Sequence, residues 1–372
     1  MQSMQAIYRP LQRQHLHEKN QCRRSVGSSE REIMSGQEKR ILVMQTGGWI
    51  GDMILLTPAL RSLKQEYPDS HIEILVNPLV NELMKRNPYL DGVIVYDKRK
   101  SQKGYRKLSQ LSRDLRDCEF DTAIIMHPSS IRSAFIAFKA GIPKRIGSEG
   151  KGRGLFLTKK VKHDKNIHEV RRYMELIEPI TEPNYDDRLE FWGIRDEDKE
   201  FATNAFNGKT RPLIGINPST TWPTKHWMPE RFADLAKRLH NDLGVTVFFT
   251  GGKNDDHLRE KLLSANNSAL DFIGKTNLWQ LGALIQECDL FITCDSGPVH
   301  ISAALGISTV SLFGPTDPCR HRPYGEIHEA IRKNDQCGPC YSRECRKSVC
   351  MSMIQVDDVF KVVRDKLGEK FH

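Results

Sequence analysis

The sequence has no apolar run near the roughly 18 residues that a bilayer-spanning helix needs, so a transmembrane chain is not expected. Its opening stretch, MQSMQAIYRPLQRQHLHEKNQCRRSV, is basic but has no apolar core, unlike a secretory signal. No G-x-x-x-x-G-K-[ST] loop occurs, and no G-x-G-x-x-G follows a strand, so P-loop hydrolysis and dinucleotide redox chemistry lose their usual anchors. GKGRG at 150–154 imitates a phosphate loop without the strand–turn–helix context. Aromatic residues are only 8% of the chain, and the basic runs hold almost none, which removes the stacking platforms of single-strand nucleic-acid binders. Zinc-finger and helix-turn-helix patterns are absent as well, so no nucleic-acid partner is expected. A non-catalytic protein that binds nucleic acid or another anion is the alternative from a different functional class.

What is present suits a large soluble protein. The 372 residues can build two domains with substantial cores, and 28% charged residues is ordinary. The net charge of +9 is uneven: +3 over 1–39, +6 over 40–190 and none over 191–372. KRKSQKGYRK (98–107) and the stretch 139–165 concentrate the excess. Such runs can be plain solvated surface, or they can meet an anionic lipid, membrane or nucleic acid. Nine cysteines without a signal sequence point to reduced thiols in the cytoplasm. Residues 1–39 read as a disordered basic extension, with Met34 an alternative start.

The remaining chain alternates strands and helices. ILVMQ (41–45), IEILV (72–76), VIVYD (93–97) and TAIIM (122–126) are candidate strands, with helical spacing near 53–66, 79–87, 105–117, 131–140 and 170–180. After TEPNYDD the pattern restarts with strands at 213–218, 245–251, 272–273, 290–294 and 309–314, separated by helices near 229–242, 255–265, 278–288 and 298–305. Such alternation means parallel sheets covered on both faces. The expected fold class is α/β: two Rossmann-like, doubly wound domains, 40–185 and 186–372, facing across a cleft where strand ends hold ligands.

Three constellations carry chemistry. QTGGWIGD (45–52) places Gly47, Gly48 and Gly51 in a strand-to-helix turn, with Asp52 at the helix start, as a helix cap or as a base at the mouth of a crevice. TCDSGPVH (293–300) runs from a strand into a helix that Pro298 can open. Ser296 and Gly297 would seat a diphosphate there, Asp295 would accept from hydroxyls, and His300 is either a ligand contact or a core histidine. NPSTTWPTKHW (217–227) offers Ser219, Thr220 and Thr221 hydroxyls and Lys225, a compact cation for a phosphate or a surface lysine. Asp196-x-Asp198 could hold a metal but fits better as the acidic first turn of a helix. Cys337, Cys340, Cys345 and Cys350 could form a structural zinc site, remain reduced, or make labile disulfides.

GGWIGDMILLTPALRSLK, INPSTTWPTKHWMPERFADLAKRL and CDSGPVHISAALGISTVSLFGPTDP resemble the signature segments of glycosyltransferase family 9, the lipopolysaccharide heptosyltransferases, in order and spacing over about 40–365. The Trp49 form of the first segment is most similar to the heptosyltransferase II branch, and CGPCYSRECRKSVCM is similar to a cysteine segment in part of the family. The resemblance implies a GT-B architecture and an inverting transfer of heptose from ADP-heptose to the lipopolysaccharide inner core. The place implied is the cytoplasmic face of the inner membrane, with the protein peripheral and no cofactor required. It implies Asp52 as general base, with Ser219, Thr220, Thr221, Lys225, Asp295, Ser296, Gly297 and His300 on the donor. Gly51, Arg145, Lys151 and Arg153 are expected near the acceptor, a lipid A–core saccharide, and Lys98, Arg99, Lys100, Lys103, Arg106 and Lys107 near the membrane. Ser296 stands where other members usually have Thr, and Gln45 and Thr46 where many have an arginine. Another nucleotide-sugar donor or acceptor within the same GT-B fold is the alternative.

Overall fold

A computed structural model describes residues 39–97, 104–150, 152–164, 166–183, 186–264, 268–333, 337–345 and 349–371. The expectations for residues 1–38, for Lys98, Arg99, Lys100 and Lys103, and for Lys151 lie outside these residues.

The strands of the first half are β1 (Arg40–Gln45), β2 (His71–Val76), β3 (Gly92–Val95), β4 (Thr122–Ile125), β5 (Lys144–Ser148) and β6 (Lys159–Val161). Those of the second are β7 (Leu213–Asn217), β8 (Thr246–Gly251), β9 (Leu270–Ile273), β10 (Leu290–Cys294), β11 (Thr309–Leu312) and β12 (Glu329–Ile331). The α-helices are α1 (Ile50–Leu55), α2 (Thr57–Glu66), α3 (Asn81–Lys85), α4 (Tyr105–Asp117), α5 (Ile131–Lys139), α6 (Glu169–Ile177) and α7 (Asp196–Phe206), then α8 (Pro229–Leu243), α9 (Asp256–Ser264), α10 (Leu278–Glu287), α11 (Gly297–Ala304), α12 (Pro318–His321), α13 (Val349–Ser352) and α14 (Val356–Phe371).

Two six-stranded parallel sheets result, ordered β3-β2-β1-β4-β5-β6 and β12-β11-β10-β7-β8-β9. Each has the doubly wound order, with its switch point between β1 and β4 or between β7 and β10. Side-chain alternation fixes the layers. Ile41 and Val43 face one core cluster while Leu42 and Met44 face another, so β1 is buried on both sides. The cluster holding Ile41 and Val43 also holds Phe248 of β8, Phe291 of β10 and Ile301 of α11, so apolar packing runs from one sheet to the other. Arg61 of α2 pins the connecting segment, donating to the carbonyls of Asp186 (2.9 Å) and Arg188 (3.0 Å).

The helix expected at 53–66 starts earlier and divides in two at Leu56. Pro58 has no N–H for the Ile54 carbonyl, and the Thr57 hydroxyl donates to it instead at 2.8 Å. The triplet at 196–198 forms the first turn of α7, where acidic residues complement the helix dipole. Strands β5, β6 and β12 and helix α14 were not expected. KRIGS and KKV are short and charged, without the apolar run that marks a buried strand; β6 proves to be the edge strand and β5 its neighbour. Among the described residues no helix is long and apolar enough to cross a membrane.

Candidate active site

Asp52 sits in the first turn of α1, just past the carboxyl end of β1. One oxygen accepts the Trp49 N–H at 2.6 Å, so the carboxylate does cap its helix. The other faces the Tyr173 hydroxyl at 3.4 Å. The Gln45 side-chain amide donates to that hydroxyl at 2.8 Å, which leaves the Tyr173 proton directed at Asp52. Burial pushes the Asp52 pKa up, and Glu169 adds to the rise; the Trp49 N–H, Arg172 and Tyr173 only partly offset it. Among the described residues no cation forms an ion pair with this carboxylate, and it lies beside a tyrosine that burial keeps protonated.

The second sheet presents a different arrangement. Asp295, just past β10, pairs with Lys225 at 2.6 Å and accepts the Thr316 hydroxyl at 2.6 Å. Burial by itself would raise its pKa, but Lys225, then His321 and Thr316, hold it below the usual carboxylate range. The Lys225 ammonium also lies 4.5 Å from the Trp222 ring centre. Ser296 precedes α11 as its N-cap without bonding the helix; its hydroxyl is 3.1 Å from that of Thr293. Gly297 opens α11 with no side-chain cap on the helix, and the N–H groups of a helix's first turn favour an anion. Thr220 donates to the Asp295 carbonyl at 3.5 Å, Ser219 is half-buried beside it, and Thr221 is exposed.

The two helix starts meet. A Cβ on Gly51 would lie 3.7 Å from Gly297 Cα and 2.6 Å from the His300 ring, so glycine lets α1 and α11 touch across the cleft. His300 is 5% exposed, and its Nδ1 has no hydrogen-bond partner. Burial lowers its pKa to about 3, so the ring is neutral at physiological pH.

Of the residues expected to contact an acceptor, Arg153 lines a cavity. That cavity, about 440 Å³, lies beyond the ends of β4, β5 and β6. Arg145 is directed elsewhere: its guanidinium donates to the carbonyls of Phe156 (2.7 Å), Pro143 (3.1 Å) and Ile142, tying down the turn around β5. The thiolate zinc site is not assembled among the described residues, where no group of three or more His, Cys, Asp or Glu side chains could hold a metal ion. Cys337, Cys340 and Cys345 are exposed, whereas Cys350 is half-buried against Gly314 at the start of α13. The segment instead braces the second-sheet side: the Thr224 hydroxyl donates to the Ser342 carbonyl (2.7 Å), and Arg343 stacks on Trp222 at 4.6 Å.

Glu169, Arg172 and Tyr173 were missed as site residues, as were Thr316, Arg320 and His321. The first three stand at i, i+3 and i+4 of α6, so they share one face of the helix, and all three are buried there among Val170, Met174, Leu176 and Ile177. Arg320, from α12, pairs with Glu169 across the cleft, and Glu169 also pairs with Arg172.

The sequence profile of glycosyltransferase family 9 (heptosyltransferase) matches residues 108–350. A lipopolysaccharide heptosyltransferase 2 of Salmonella typhimurium is 30% identical over 308 residues, covering 76% of this chain and 85% of that one. Two solved structures are similar throughout. The family 9 glycosyl transferase of Veillonella parvula has a TM-score of 0.77 at 28% identity, covering 91% of this chain and all of that one. The ADP-heptose lps heptosyltransferase II of E. coli has a TM-score of 0.70 at 25% identity, covering 90% and 100%.

Proposed function

This chain belongs to glycosyltransferase family 9, and from that premise we propose that it moves heptose from ADP-L-glycero-D-manno-heptose to the inner core of lipopolysaccharide with inversion at the anomeric carbon. The observation that carries the reading is the contrast across the cleft. Asp52, a carboxylate whose pKa burial raises, lies in the first turn of α1, and α1 touches α11. The start of α11 belongs with Lys225 and Ser296 to the other lip, which supports a base on one side and a seat for the donor diphosphate on the other. In the proposed reaction an acceptor hydroxyl gives its proton to Asp52 as its oxygen bonds to the anomeric carbon. The bond from that carbon to the ADP oxygen breaks on the opposite face, and the electron pair leaves with ADP. Base assistance is worth roughly 10²–10⁴ in rate. Lys225 and the α11 N–H groups would stabilise charge on the departing diphosphate. Ser219, Thr220, Thr221, Asp295 and His300 complete the donor side, and Gly51 and Arg153 lie on the acceptor side. The reading requires no cofactor, and zinc at the cysteines is not part of it.

Location follows from the acceptor's lipid: the cytoplasmic face of the inner membrane, with the protein peripheral. Leu155 (84% exposed), Tyr105, Ile131 and Phe138 stand out from the first domain, with Lys139, Arg106 and Lys107 nearby in sequence, a basic and apolar mixture suited to an anionic bilayer. Pelleting with anionic vesicles that is unchanged in Leu155→Ser plus Phe138→Ser would remove this part.

The deciding experiment is calorimetric titration with ADP, UDP, GDP and CMP, in wild type and Lys225→Ala. Binding of ADP alone, weakened by the substitution, is expected. Preference for another nucleotide keeps the fold and discards heptose. No binding at all would discard the transferase reading.

A further inference from the structure

The 440 Å³ cavity is bordered by Pro128, Ser148 and Val161 at the strand ends, and by Arg153, Arg172 and Arg320. Arg153 and Arg172 are only 4% and 6% exposed. Arg153 spends Nε on the Ser148 carbonyl and one terminal nitrogen on the Glu149 carbonyl (2.7 Å), leaving Nη1 buried without a partner. Arg172 gives one nitrogen to Glu169 and leaves Nε and Nη1 buried and unpartnered. Two guanidinium groups, those of Arg172 and Arg320, thus share one buried carboxylate, Glu169, while Arg153 is held by carbonyls alone. Among the described residues three donor nitrogens of Arg153 and Arg172 have no acceptor. Leaving such donors dry costs far more than meeting an anion there. Arg153 and Arg172 also repel each other, and that repulsion, after burial, lowers the Arg153 pKa.

We propose that this cavity seats a compact oxyanion of the acceptor saccharide, a carboxylate or a phosphate monoester, held by the forked donors of Arg153 and Arg172. The assignment rests on the transferase reading but goes beyond it. Arg172 and Arg320 have no place in the reaction described above, and a planar fork matches two oxygens of either anion. Position supports it: Arg172 precedes Tyr173, which bonds Asp52, so an anion fixed here sets where the rest of the acceptor lies relative to the base. Arg320 comes from the second domain, so an occupant touches both halves of the cleft. Glu149, Lys162 and Asp164 lie at the exposed rim and supply no net attraction of that strength.

The full chain is titrated with inorganic phosphate and with gluconate, following tryptophan fluorescence, in wild type, Arg172→Gln, Arg153→Gln and Lys162→Gln. Each buried arginine variant is expected to lose roughly tenfold to a hundredfold in affinity, and Lys162→Gln less than about twofold. In the transfer assay Arg172→Gln should raise the acceptor KM while leaving the donor KM nearly unchanged. Arg172→Lys, which keeps the charge without the fork, should recover only part of the loss. Phosphate binding alone, with a dephosphorylated acceptor performing poorly, identifies a phosphate. Gluconate binding, with a carboxyl-esterified acceptor performing poorly, identifies a carboxylate. Equal affinity in wild type and both arginine variants, or loss matched by Lys162→Gln, overturns the assignment. ADP titration of the same samples separates the failures. If ADP binds normally and the anions do not, only the cavity assignment falls; if ADP binding is absent from wild type, the transferase reading falls. Normal ADP binding in the variants also shows that they are folded.

Discussion

Asp52 and Asp295 are two carboxylates in similar backbone settings with opposite electrostatics. Both follow a buried parallel strand at a sheet's switch point, both lie where a helix begins, and burial pushes both toward the neutral acid. The difference lies in the partners. Asp295 has Lys225 at 2.6 Å and Thr316 at 2.6 Å, and its pKa falls below the usual carboxylate range. Asp52 has a backbone N–H, a long contact from Tyr173 and the nearby charge of Glu169, and its proton affinity rises. The same fold therefore yields a carboxylate of raised proton affinity on one lip and an ion pair on the other, with Lys225 the largest difference between them.

The largest test of this contrast is Asp52→Asn. The amide oxygen can still accept the Trp49 N–H, so the helix cap survives while the base is lost. Transfer should fall roughly 10²–10⁴-fold, measured as ADP release, with ADP affinity unchanged; a loss below tenfold would return Asp52 to a capping role alone. The pH dependence must agree. Wild-type transfer should decline as pH falls through a value above 3.8, and the residual activity of Asp52→Asn should lack that limb. The folded chain holds the Asp52 proton more tightly than the unfolded chain does. Its contribution to stability is thus fully present below 3.8 and lost as pH rises through the raised value. Asp295 behaves oppositely: its contribution is present above 3.8 and lost as pH falls through the lowered value.

Removing the cation is the next test. Lys225→Ala leaves a buried carboxylate unpaired, and unfolding free energy should drop by about 3–5 kcal/mol in urea denaturation. Asp295→Asn added to it should recover most of that loss. If the double variant is no more stable than Lys225→Ala, the pair does not account for the low Asp295 pKa.

How much of this contrast is legible in the sequence depends on separation along the chain. Asp52, Asp295, Ser296 and Gly297 can be found because each lies within one strand–turn–helix segment, where glycines and a following Pro298 mark the ligand side. Lys225 stands out as the cation of a hydroxyl-rich loop, but nothing local pairs it with Asp295, 70 positions on. Tyr173 lies 121 residues from Asp52, and Arg320 lies 151 from Glu169. Their meeting depends on how the sheets stack, which periodicity does not encode. Arg145 and Arg153 illustrate the same limit, since both sit in basic stretches and both are tied to carbonyls, yet only the folded turn puts Arg153 at the edge of a cavity.

A smaller effect is expected where the two lips touch. In Gly51→Ala the new methyl would meet the His300 ring at 2.6 Å, and the ring can yield only by shifting α11 or turning. Misalignment of this size should cost about tenfold to a hundredfold in kcat, with little change in melting temperature. If Gly51→Ala keeps full activity, close contact of α1 with α11 is not required for transfer.

The smallest effect is expected in the cysteine segment, which bears on the Lys225 lip alone. Tyr341 donates its N–H to the Pro315 carbonyl at 2.9 Å, and Thr224 reaches Ser342, so backbone and hydroxyl groups do the bracing while Cys337 and Cys340 remain exposed. Cys337→Ser and Cys340→Ser should each change stability by less than about 0.5 kcal/mol, and a chelator should leave the melting curve and ADP affinity where they were. A chelator-dependent fall in both would make the stiffness of the donor-side loops depend on a metal held by the thiols. The low Asp295 pKa would then rest on that metal as well as on Lys225, His321 and Thr316, and Asp52 would be the simpler of the two carboxylates.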